Sequence, residues 1–282
     1  MTNPRELKRR IRSIRNIERT VDALQKISAA RLARVRAAAL GGKQYIDALV
    51  ALVHDIAASG HASHPMLEAR EGEGYMLLAI GADRGMCGAY NANIMRAAAE
   101  FASTRRRQEL YLETTGRKIH RLVPRTHALV VREILHHPRP LSEAAITDIT
   151  ATITDAYLKQ KVVRVYFLYT QFRGSTGNRT RVSRVLPIMP EPRPFAAERI
   201  YEPTPAEILD RLMPLYVRTA VRQAFLEADA SEHAARMVTM EQASVSARRM
   251  ISELTLVANR LRQSTITREL ADIVGTAEAL SA

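Results

Sequence analysis

The sequence predicts a mixed α+β chain: a long antiparallel coiled coil of N- and C-terminal helices carrying a central α/β, Rossmann-like domain. Three observations carry this. Residues 215–274, 60 positions, contain neither Gly nor Pro. The first 40 residues hold a second long helical stripe, and strand and helix patterns alternate only between the two. The expected division is residues 1–60 for the N-terminal helix, 73–194 for the central domain and 200–282 for the C-terminal helix.

The C-terminal stretch is the clearest. Thr204-Pro205-Ala206-Glu207 places a hydroxyl at N-cap, proline at N1 and a carboxylate at N3. Pro214 should kink the helix or divide off its first ten residues, and Gly275 is a suitable stop. Unbroken, the Gly- and Pro-free stretch would span about 90 Å. Its stripe, Leu226, Ala230, His233, Met237, Met240, Ser244, Ala247, Ile251, Leu254, Ala258, Leu261 and Thr265, alternates steps of four and three. That 3.5-residue period implies a left-handed supercoil, and its small seam residues let a partner helix come close.

At the other end, Asn3-Pro4-Arg5-Glu6 repeats the start signal, and helix should continue to about Leu40. Leu7, Ile11, Ile14, Ile17, Val21, Leu24 and Ile27 give its apolar face. Gly41-Gly42 should interrupt it before a second piece carrying Ile46, Leu49, Val50 and Val53. Two long helices, each with one narrow stripe, most simply pair antiparallel, with Leu7, Ile11 and Ile14 near Ile251, Leu254 and Leu261.

In the centre, Tyr75–Ile80 reads as a buried strand, 91–105 as a helix and Leu110-Tyr111-Leu112 as a strand. A helix over 141–159 and a strand over 162–172 follow, and 181–188 returns as a hairpin partner across the Gly174–Gly177 turn. This is a small α/β domain with some parallel pairing.

Composition narrows the function. The formal charge of +13 calls for an anionic partner: nucleic acid, membrane surface or acidic protein. Up to Lys43 there are 12 bases and 3 acids (Glu6, Glu18, Asp22), so +9 of that total sits on the N-terminal helix. No aromatic or Asn/Gln base-reading set is interleaved with those bases, which argues against a DNA-binding arm. A single Cys87 excludes an internal disulfide and fits a reducing compartment. No apolar run reaches 18 residues, so no transmembrane segment is expected, and the Arg-rich N-terminus lacks the apolar core of a secretory signal.

Chemistry is sparse. Gly81–Gly88 stands where a phosphate loop would, after a strand and before a helix. Its spacing fits neither GxGxxG nor GxxxxGK[ST], so a packing turn is the better reading. Cys87 has no His in that stretch to act as its base. His61-x-x-His64 and His136-His137 lack Cys or carboxylates at ligand spacing. The residues show no active site, and no catalytic residue, cofactor or metal is expected.

Several motifs resemble one family, the gamma subunits of F-type ATP synthases, the central rotor stalk. They are Ala230-Ser231-Glu232-His233-Ala234-Ala235-Arg236-Met237, Leu254-Thr255-Leu256, Asn259-Arg260-Leu261-Arg262-Gln263, Ile266-Thr267-Arg268-Glu269-Leu270 and Ile273-Val274-Gly275. Ala82-Asp83-Arg84-Gly85-Met86-Cys87-Gly88-Ala89-Tyr90-Asn91 is close to the family's SDRGLCGGYN, and Tyr201-Glu202-Pro203 and Arg12-Ser13-Ile14-Arg15-Asn16 also match. The resemblance covers the chain in order. It departs in the first helix, where Ile17–Leu24 and Lys26–Arg31 stand for the usual Thr-x-Lys-Ile-Thr-x-Ala-Met and Met-Val-Ala-x-Ser-Lys, and over 114–137. The plant-type regulatory cysteine pair is absent.

The resemblance implies a mechanical role. The terminal helices would sit within a head of alpha and beta subunits, and the α/β domain and lower shaft would bind the epsilon subunit and the membrane c-subunit ring. The complex would lie peripherally on the cytoplasmic face of the bacterial plasma membrane. Ion flow would turn the ring and shaft and drive ATP synthesis on the beta subunits. A second copy serving an ATP-driven ion pump is the alternative within the family; a nucleic-acid-binding coiled coil is the alternative outside it. By resemblance, Arg262, Gln263, Thr267 and Glu269 align with positions that contact the head, and Asp83 and Arg84 join them as partner contacts.

Overall fold

The computed structural model describes residues 4–58, 63–105, 109–119, 129–134, 141–174, 177–189 and 201–281. It contains α1 (Pro4–Ala58), β1 (Tyr75–Ile80), α2 (Tyr90–Ser103), β2 (Leu110–Thr115), β3 (Leu129–Ile134), α3 (Glu143–Leu158), β4 (Arg164–Gln171), β5 (Arg179–Leu186) and α4 (Pro205–Ser281). The chain divides into two compact units. One comprises residues 1–28 with 237–282, and the other 29–236, so both long helices contribute to each unit.

The α4 start follows its sequence signal. The N–H of Glu207 donates to Thr204 Oγ1 at 3.4 Å, and that of Ile208 to the Thr204 carbonyl at 3.1 Å. Three expected helix breaks do not occur: a division at Pro214, an interruption at Gly41-Gly42 and a stop at Gly275. Pro214 lies inside α4, where it removes one backbone donor and crowds the preceding turn. Leu209, Met213, Tyr216 and Val217 are buried on both sides of it, and that packing holds the helix together. Helix α1 runs through Gly41-Gly42. A helical glycine costs only about 1 kcal/mol, and at Gly42 a side chain would collide with Gln223 of α4. Gly42 therefore opens the space through which Gln223 Nε2 donates to the Ala39 carbonyl at 2.7 Å. Gly275 does not stop α4 either, because the residues that follow, such as Ala277, Glu278 and Leu280, favour helix. Asn3, the expected cap of α1, lies outside the described residues.

In the second unit a five-stranded sheet has the order β3-β2-β1-β4-β5. The four strands β3, β2, β1 and β4 are parallel, and β5 closes one edge as the antiparallel hairpin partner of β4. β1 is buried at every residue because its two faces feed two cores. Met76, Leu78 and Ile80 join Ile146, Ile149, Ile153 and Tyr157 of α3, with Leu209, Met213 and Val217 of α4. Tyr75, Leu77 and Ala79 meet Ile94, Ala98 and Phe101 of α2. Helix α3 starts at Ser142, whose Oγ accepts from the Ala145 N–H at 3.3 Å. β3 has no counterpart in the sequence reading.

In the first unit, α1 and α4 pair antiparallel. Asp22 meets Ser244 and Glu18 meets Arg248. Each pair of numbers sums to 266, so the register line places Leu7, Ile11 and Ile14 against α4 between residues 252 and 259. The α4 seam follows the expected stripe as far as Leu261: Met240, Ser244 and Ala247 are buried, and Ile251, Leu254, Ala258 and Leu261 half-buried, whereas Thr265, expected to continue it, is exposed. The α1 stripe needs correcting. Ile17 and Ile27 are 54% and 50% exposed, while Glu18 is half-buried and Ser28 buried. The inward positions are Leu7, Ile11, Ile14, Glu18, Val21, Gln25 and Ser28, a strict alternation of four and three. Polar residues can stand there because they are bonded: Ser28 Oγ donates to the Leu24 carbonyl, and Glu18 pairs with Arg248.

Candidate functional site

The place to look for ligand chemistry in such a sheet is the carboxyl end of the strands, where the strand order reverses. Here that point lies between β1 and β4. In this chain it is filled by α4. Ser231 Oγ donates to the Thr170 carbonyl at 2.9 Å, Tyr90 OH to the Ala228 carbonyl at 3.2 Å, and Asn178 Nδ2 to the Ser231 carbonyl at 3.3 Å. Ala230 packs with Phe172 and with Ala39 of α1.

The loop after β1 is clamped from the same helix. Arg236 forms an ion pair with Glu232 at 2.6 Å, both side chains less than a tenth exposed. Its other guanidinium hydrogens reach the carbonyls of Gly85 at 3.3 Å and Arg84 at 3.4 Å. Asp83 Oδ1 accepts the Arg117 N–H at 3.2 Å, and the Ala82 N–H donates to Asn91 Oδ1 at 3.0 Å. Asp83 and Arg84 thus sit in one packing turn, with the Arg84 side chain exposed. The backbone groups a phosphate would need are partly engaged by protein, and the loop's neighbour is a buried arginine salt bridge.

Burial pushes the Cys87 thiol above its ordinary pKa, against the pull of Arg236. A thiol held neutral is a poor nucleophile. His64 is placed as a structural group: its Nδ1 accepts the Met66 N–H, and its Nε2 faces Asp210 at 3.7 Å. His61, His136 and His137 lie outside the described residues. Among the described residues no cluster of three or more His, Cys, Asp or Glu could hold a metal.

Arg262, Gln263, Thr267 and Glu269 all lie on α4 of the first unit and all are exposed. Thr267 Oγ1 donates to the Gln263 carbonyl at 3.0 Å. Among the described residues Arg262 and Glu269 have no ion-pair partner. The four share a stretch with exposed apolar residues at helical spacing: Ile266, Leu270, Ile273 and Val274 are 47–64% exposed.

Sequence reasoning missed three polar clusters. The Glu232–Arg236 pair carried a signal, its i,i+4 spacing. The reach of Arg218 and Arg222 to Glu143 Oε2, at 2.8 and 2.7 Å, joins α4 to the start of α3 and has no local signature. The same is true of the cluster of Glu18, Asp22, Ser244 and Arg248.

Two long helices paired antiparallel in one unit, and wrapped round a Rossmann-like sheet with a filled crevice in the other, define a stalk-type assembly subunit. The comparisons identify which. An ATP synthase family model matches residues 3–280. The ATP synthase gamma chain of Pelotomaculum thermopropionicum is 34% identical over 284 residues, covering 99% of this chain and all of that one. That of Dehalococcoides mccartyi is 35% identical over the full length of both. The chain belongs to the gamma-chain family of F-type ATP synthases. Its fold is shared with a chain of the Euglena gracilis mitochondrial ATP synthase OSCP/F1/c-ring structure, at a TM-score of 0.68 and 15% identity over 98% of this chain and 94% of that one. A chain of the Tetrahymena thermophila mitochondrial central stalk and c-ring gives 0.61 and 19% over 80% and 99%. No helix among the described residues is long and apolar enough to cross a membrane.

Proposed function

We propose that this chain is the rotor that couples ion-driven rotation of a c-subunit ring to ATP synthesis and hydrolysis on a head of alpha and beta subunits. The observation that carries the reading is the end of α4. From Arg262 to Thr276 every side chain described is exposed, including four large apolar ones. An unpartnered apolar row with polar residues beside it is the signature of a surface that a partner covers. Arg262, Gln263, Thr267 and Glu269 are the proposed contacts with the head, Arg262 foremost because its guanidinium can bond a carboxylate bidentately.

The second unit is the proposed seat of the epsilon subunit and the c-ring, with Asp83 and Arg84 among its contacts. The proposed coupling ion is a proton and the proposed location the cytoplasmic face of the bacterial plasma membrane, where the complex would lie peripherally; both rest on the family resemblance. A rotor needs no catalytic group: it biases the states of the beta subunits by making different contacts with each. Native purification tests the reading. The chain should co-elute with alpha and beta subunits; a chain that elutes alone or with nucleic acid sinks it.

A further inference from the structure

The polar cluster in the first unit is centred on Ser244 of the α4 stripe and reaches Glu18 and Asp22 beside the α1 stripe. Ser244, 3% exposed, donates its Oγ hydrogen to Asp22 Oδ1 at 2.6 Å. Arg248 bridges the same two turns of α1, with Nε on Glu18 Oε1 at 2.9 Å and Nη2 on Asp22 Oδ2 at 3.3 Å. The Ser244 hydrogen bond, aided by Arg248, holds the Asp22 carboxyl below its ordinary pKa. We propose that Glu18, Asp22, Ser244 and Arg248 are the positioning residues that fix the register of the two helices, selecting one antiparallel alignment among those the apolar seam would accept.

The seam alone discriminates poorly. It is built from repeating heptads of small and medium residues, so a slip of seven positions keeps most apolar contacts. The cluster does not survive such a slip. A shift in one direction sets Asp22 opposite Met237 and Glu18 opposite Glu241; the other sets them opposite Ile251 and Thr255. In each case Asp22 meets an apolar residue, and in one Glu18 meets a like charge. Ser244 is buried and Glu18 and Asp22 are half-buried beside it, while Arg248 is 60% exposed, so a misalignment leaves partly desolvated carboxylates against apolar or like-charged neighbours and is disfavoured.

Electron paramagnetic resonance distances in the full chain test it. Nitroxide labels at Thr20→Cys and Arg260→Cys, both exposed, lie 14 positions off the register line. That is about 21 Å along the axis, and a one-heptad slip changes it by about 10 Å. Buried Cys87 is shielded from the label. The otherwise unaltered chain should give one distance. With Glu18→Ala and Asp22→Ala together, helicity should hold while a displaced second distance grows at least about tenfold, and a Glu18→Arg, Arg248→Glu swap made with Asp22→Ala, so that no carboxylate faces the new glutamate, should restore a single one. A single native distance in the alanine variant overturns the proposal. Loss of its helicity also overturns it, since the cluster would then hold the helices folded instead of choosing their alignment.

Discussion

Removing Arg236 is the sharpest test of a structural strand-end crevice. In Arg236→Ala, Glu232 loses its 2.6 Å cationic partner in a site where both side chains are less than a tenth exposed. The carbonyls of Gly85 and Arg84 lose their guanidinium donors at the same time. Breaking a buried ion pair from one side costs about 3–5 kcal/mol. Glu232 retains other interactions, so the lower end applies. About 3 kcal/mol in a unit of this size is a fall in Tm of roughly 6–12 °C. The assay can be confined to the right unit. There is no Trp, and all nine Tyr lie between Tyr45 and Tyr216. Near-ultraviolet circular dichroism therefore reports the sheet-bearing unit. Ser231→Ala, which removes one buried hydrogen bond to Thr170, sets a scale of about 1 kcal/mol. Pairing Glu232→Gln with Arg236→Met should recover part of the loss, because it removes both charges. If Arg236→Ala melts within about 2 °C of the unaltered chain, the clamp does not hold the loop and the argument fails.

Three further outcomes follow from the same geometry. Leu254→Asp places a charge at a half-buried seam position and should cost about 2 kcal/mol, read as loss of helical signal on heating; an unchanged melt would place Leu254 outside the seam. Arg262→Ala with Gln263→Ala touches only exposed side chains, so the melt should stay within about 0.5 kcal/mol while ATP turnover of the assembled complex falls. Turnover equal to that of the unaltered complex would remove them from the grip. Burial pushes Tyr169 and Tyr216 up to about 12, so both stay neutral in the fold where the unfolded chain ionises near 10. Their stabilisation is complete below pH 10 and is lost between pH 10 and about 12, on the order of 3 kcal/mol each. Replacing both with Phe should flatten that fall, and an unaltered alkaline limb would contradict the assignment.

Local signals in the sequence carried most of the fold. The Thr204 cap, the α4 stripe and β1, β4 and β5 all rest on spacing within one element, and each element is present. The misreadings came from effects that act across the chain. Gly41-Gly42 looked like a break because the partner that makes Gly42 useful, Gln223, stands far away in sequence. Ile17 and Ile27 looked like seam residues because apolar character usually points inward. Glu18 and Ser28 displaced them because the 3.5-residue period and bonded polar partners together outweigh it. The closed crevice could not be foreseen from the Gly81–Gly88 loop alone. Its occupants, residues 228–236, lie roughly 150 positions downstream.

The central claim, that this chain turns inside the head and passes torque, is tested most directly by watching it turn. The chain should be assembled with alpha and beta subunits fixed to a surface, and a bead attached through a cysteine at Leu158, exposed on the sheet-bearing unit. With ATP supplied, rotation in one sense, in regular steps and with a rate that follows ATP turnover, is the expected result. ATP hydrolysis by an assembled head while the bead shows only Brownian motion would contradict the account.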